Sequence, residues 1–60
     1  PDAPFIKGMI PHHQGAVDMA KVVIQYGTDP DVRNLAQHII ADQQIEILQM
    51  QDWLEKTGKN

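Results

Sequence analysis

The chain has 60 residues, 42% apolar and 22% charged, which suits one small domain and is too apolar for a disordered segment. Eight acids against five bases leave a formal charge of -3, the wrong sign for a protein that neutralises nucleic-acid phosphates. Cysteine is absent, which removes disulfides, thiolate zinc sites and thiol nucleophiles, and no apolar run approaches the roughly 18 residues of a membrane span.

The chain begins at Pro1 without an initiator methionine and reads as a trimmed piece of something longer. From Ala3 to Tyr26 one row of residues (Phe5, Met9, His12, Ala16, Met19, Val23, Tyr26) recurs at alternating steps of four and three. A second row, Ile6, Ile10, His13, Val17, Ala20 and Ile24, runs beside it. Together they form a stripe at about 100° per residue, the period of an amphipathic helix. Lys7, Gln14, Asp18, Lys21 and Gln25 take the other side. Pro11 removes the bond to the Lys7 carbonyl, so a kink is expected around Lys7 to Ile10. The stripe keeps phase across it, so the helix is not expected to break there.

Gly27, Thr28 and Asp29 make the turn. Gly27 suits the left-handed position after a helix end, Asp29 suits an N-cap, and Pro30 suits the first position of a second helix. Asp31 adds negative charge where the helix dipole favours it. The second helix is expected over about residues 30–57, with Val32, Leu35, Ala36, Ile39, Ile40, Ile47, Met50, Trp53 and Leu54 as its stripe. Gly58 supplies the stop, with Lys56 and Lys59 near the negative end of the dipole.

So short a loop between two long helices predicts an all-α fold, an antiparallel hairpin forming one domain over residues 1–60. A chain this small gains little from a single core, about 3–5 kcal/mol. Val22, Ile45 and Leu48 lie off the stripes, and pairing two hairpins into a four-helix bundle would cover them. The expected partner is therefore a second copy, as a homodimer or higher homo-oligomer.

Several stripe residues do not suit a plain core. Met9, His12, His13 and Met19 stand on the first helix, and Gln43, Glu46 and Met50 on the second. Gln43 and Glu46 point between the directions of Leu35 and Leu54, where an unsatisfied polar group costs about 1–3 kcal/mol. With Tyr26 set opposite Pro30, Met9 is expected to face Ile47 beside Glu46 and Met50. On the same register His13 faces Gln43, and Met19 faces Gln37 and His38. Trp53 and Phe5 are expected to plug the open end, and His38 to sit at the solvent edge.

Thioethers and imidazoles on one face can close around an ion. Thioethers are soft and neutral, so they select copper(I), or the similar silver ion, over hard cations. Zinc is disfavoured because adjacent histidines project about 100° apart on a helix and the His-Glu-x-x-His spacing is missing. A di-iron carboxylate site fails because Gln49, not histidine, follows Glu46 by three residues. Serine is wholly absent and there is no Gly-rich phosphate loop, so no enzyme is expected. Packing is the plain alternative for each residue: methionine fills irregular cores freely, His12 and His13 can sit at the helix edge, and Glu46 can pair with either histidine across the hairpin.

The string from Met9 to Lys21 (Met-Ile-Pro-His-His-Gln-Gly-Ala-Val-Asp-Met-Ala-Lys) resembles the signature of the domain-of-unknown-function 305 family, which includes CopM-like copper-binding proteins. Residues 41–54, from Ala41 through Trp53 to Leu54, look like that family's second helix. The resemblance implies a ferritin-like helical bundle, a periplasmic or extracellular location, copper-handling proteins as partners, and a role in binding or resisting copper. Matched by motif, Met9, His12, His13 and Met19 correspond to the family's Met-His helix, and Glu46 and Met50 to its second helix. The other function open at this point is a structural hairpin that drives oligomerisation without any metal.

Overall fold

The computed structural model describes residues 1–58 of the chain. Helix α1 spans Asp2–Tyr26 and helix α2 spans Pro30–Thr57, joined by three residues. The fold is an all-α hairpin, a rod whose Cα trace measures 43 × 14 × 14 Å. Lys59, expected beside the end of the second helix, lies outside the described residues.

Each boundary has a local cause. The Asp29 carboxylate accepts from the amides of Asp31 at 2.8 Å and Val32 at 3.3 Å, satisfying two of the free donors at the start of α2. Pro30 follows at the first position, where its missing N–H costs nothing. At the other end Gly58 takes the left-handed conformation at φ 68°, and its N–H reaches the carbonyls of Glu55 and Leu54. Lys56 stands in the last turn and meets Asp52 at 2.9 Å, an exposed pair worth little by itself. Helix α1 continues through Pro11; Lys7 and Pro11 are both exposed, so water can reach the carbonyl that the proline leaves unpaired.

The turn departs from expectation at Gly27. Its backbone is extended, at φ -69° and ψ 149°, and not left-handed. Its amide donates to the Val23 carbonyl at 2.6 Å. Glycine is needed here because a Cβ would collide with that same Val23 oxygen, so the requirement is close approach and not positive φ. The Arg33 guanidinium donates to the Gly27 carbonyl at 3.3 Å and ties the turn to α2.

The core is narrow. Val17, Ala20, Ala36, Ile47 and Leu54 are buried, and among the described residues Val17 is the one large side chain fully closed off, at 1% exposure. Ala20 and Ala36 are too short to reach across a wide gap, so their burial brings the two backbones close. Much of each expected stripe stays outside this seam. Met19 and Tyr26 on α1, and Leu35 on α2, are exposed, as are the off-stripe Val22, Ile45 and Leu48. At the open end Trp53 lines a groove with Pro1, Ala3 and Pro4, whereas Phe5, expected to join the plug, turns outward at 63% exposure.

Candidate metal centre

Halfway along the hairpin, His13 crosses from α1 to α2. Its Nε2 lies 2.7 Å from Glu46 Oε1, and its Nδ1 lies 2.9 Å from the Met9 carbonyl oxygen one turn back. The His13 side chain is 12% exposed and that of Glu46 49%, so the pair has a dry side and a wet side. Both ring nitrogens face acceptors. The carbonyl can only accept, which places a hydrogen on Nδ1 and leaves Nε2 for Glu46. A ring protonated on both nitrogens would donate to the carbonyl and to the carboxylate together. This is the cross-hairpin pairing that the sequence offered as the plain alternative for Glu46.

The register corrects one expectation. His13 meets Glu46, not Gln43, one helical turn further along α2. Side chains on a helix tilt toward its N-terminus, so a long side chain on α1 leans toward the open end. His13 therefore lands where Glu46 starts, and its bond to the carbonyl four residues back is the same lean seen from inside α1.

Four of the six expected ligands come together. Met9, His13, Glu46 and Met50 line one open groove, with Phe5, Ile6 and Gln49 completing the wall. His12 and Met19 do not join them within one chain. The His12 ring centre is 6.2 Å from that of His13 and its plane is turned by 61°, on an exposed residue. Met19 is 74% exposed and lines a separate, apolar groove nearer the turn, facing Val32 and Leu35, not Gln37 and His38. Gln49 was not anticipated as a wall residue, although its place three residues after Glu46 puts it on the same side of α2.

The donor set is two thioethers, one imidazole nitrogen and one carboxylate. Among the described residues no three His, Asp or Glu side chains converge, so a hard or borderline ion finds no full set of its preferred donors in one chain. A soft ion finds Met9 and Met50 beside His13. For His13 to bind it through Nε2, that nitrogen must be bare and the 2.7 Å contact with Glu46 must open. Nδ1, held by the Met9 carbonyl, already fixes which nitrogen is offered and how the ring is turned.

Comparison with known proteins adds a family but no chemistry. A family model described as a domain of unknown function, DUF305, matches residues 2–60. An uncharacterized protein of Acanthamoeba polyphaga mimivirus is 40% identical over 55 residues, which is 92% of this chain and 36% of that protein. The chain thus spans about a third of the length of that relative. No solved structure matches.

Proposed function

This chain belongs to the DUF305 family, and we propose that it is a non-catalytic domain that binds copper(I), or silver in its place, through Met9, His13, Glu46 and Met50. The observation that carries the reading is the meeting of two thioethers and an oriented imidazole in one groove. Thioethers gain little from a hard cation and much from a soft one. No serine or cysteine nucleophile stands near the groove, and the His13–Glu46 pair is engaged in holding the helices together. The location we propose is periplasmic or extracellular, with copper-handling proteins as partners, a reading that rests on the family resemblance alone. Among the described residues no helix is long and apolar enough to cross a membrane.

A second reading is favoured by the exposed apolar residues. Phe5, Met19, Tyr26, Val32, Leu35 and Leu48 are each 48% exposed or more, which suits a hairpin that pairs with another to make a four-helix bundle. In its strict form that reading has no metal role, and Glu46 serves only to pair with His13. Mass spectrometry under native conditions, with and without copper(I), separates the two. A copper-bound species that withstands competition from a chromogenic copper(I) chelator, and that zinc does not displace, supports the first. Zinc retained as tightly as copper(I) overturns the assignment, and no retained metal leaves the structural hairpin.

A further inference from the structure

One side of the hairpin is bare along its length. On α1 it is bordered by the row that includes Phe5, His12, Ala16, Met19 and Tyr26, which contains no Asp, Glu, Lys or Arg. Across the groove, α2 presents Val32 and Leu35 near the turn and Glu46 at mid-length, with Asp42 one turn before Glu46 on the same side. The apolar residues are far from covered: Phe5 is 63% exposed, Tyr26 72% and Leu35 57%. With Met19 and Val32 they leave roughly 600 Å² of apolar side-chain surface in water, against roughly 800 Å² per partner in a stable interface.

We propose that a second copy of this chain covers this side. The two hairpins point the same way about a two-fold axis along their length, α1 of each lies against α2 of the other, and the partner's His12 joins His13 and Glu46. This rests on the self-association reading above and adds its geometry. Two observations select it.

The first is charge. Were the copies related by a two-fold across the rod, α2 would lie on its own copy. Asp42 and Glu46 sit at the middle of a helix running Pro30–Thr57, so acids would then meet acids. Aligned copies set the acidic stretch of α2 against the charge-free row of α1, where His12 is the one basic side chain. The second is height. His12 adjoins His13, so in aligned copies the partner's His12 arrives at the level where His13 already reaches Glu46. One chain assembles no group of three His, Asp or Glu donors among its described residues, and the second copy supplies the third.

The absence of cysteine makes a disulfide test clean. Chains carrying the single change Met19→Cys, mixed with chains carrying Leu35→Cys, should form a mixed disulfide dimer under mild oxidation. Met19→Cys alone should not link to itself. Cross-linking of Phe5→Cys chains with Tyr26→Cys chains in place of the first pair is the signature of the crosswise arrangement and overturns the alignment while leaving self-association standing. A well-folded monomer by sedimentation at high micromolar concentration overturns both. Because His12 is exposed in the single hairpin, its variants should keep full helix content by circular dichroism. His12→Lys should tighten the dimer and His12→Asp should weaken it by about tenfold or more, since each alters the charge facing the acidic stretch. Shifts of the same sign for the two variants, or none, overturn the placement of His12.

Discussion

Near the turn, the groove between the helices is walled by Ala16, Val23, Leu35 and Ile39, with Met19 at its edge. Toward the open end it holds His13 and Glu46 between Met9 and Met50. The two halves share one stripe and one helix pair. Near the turn, alanines bring the backbones close and nothing polar enters, so that half gains by being covered. Toward the open end a single polar contact crosses the gap, and a polar contact has direction. It fixes which residues face one another, orients one imidazole and leaves two thioethers beside it. Apolar packing holds the hairpin, whereas the polar pair orients the side chains of the proposed site.

The largest effect that tests this contrast lies near the turn. Ala36 is 4% exposed, so Ala36→Asp buries a carboxylate without a partner at a cost of about 3–5 kcal/mol. Loss of the helical signal by circular dichroism is the expected outcome, and an intact hairpin would show that the alanine seam is not what holds it. Toward the open end the corresponding change should alter binding and spare the fold. The double variant Met9→Leu, Met50→Leu keeps apolar volume, so its melting curve should match the parent while copper(I) affinity falls by about tenfold or more. Met19→Leu, in the other half of the groove, should leave affinity within about twofold at concentrations where the chain is monomeric, because soft-donor binding needs the sulfur at the site.

The pH dependence sharpens the same division. A thioether has no proton to lose, whereas an imidazole binds metal only through a bare nitrogen. Copper(I) affinity should therefore fall as the solution is acidified. His13→Ala should bind more weakly at neutral pH and lose most of that slope; matching curves for parent and variant would make His13 a packing residue. The smallest expected effect is at the turn itself. Asp29→Ala removes the cap of α2 and should cost about 1 kcal/mol in urea unfolding with copper(I) affinity unchanged.

The helices were legible because their signals are local. Asp29, Pro30 and Gly58 act through their own backbone and the next turn, and each takes the role read for it. Gly27 shows the limit of that reasoning: a glycine after a helix serves either positive φ or close approach, and which one applies depends on where the Val23 carbonyl lies in the completed turn. The site was legible as a set of donor types and only partly as an arrangement. Met9, His13, Glu46 and Met50 share a groove as their spacing implied, while Met19 and His12 belong to the same periodic rows yet stand outside it.

Period and chemistry are properties of the chain alone: the phase of the apolar rows dictates two helices, the three-residue turn dictates that they run antiparallel, and methionine with histidine sets which donor types are present. Facing partners are not. Which residue of α2 His13 meets depends on the tilt of side chains toward the helix N-terminus and on how closely Ala20 and Ala36 let the backbones approach. One turn of register separates Gln43 from Glu46, and with it an amide neighbour from a carboxylate that pairs with the imidazole. Periodicity is the same for every turn of a helix and so cannot choose among them; the packed pair of helices makes that choice.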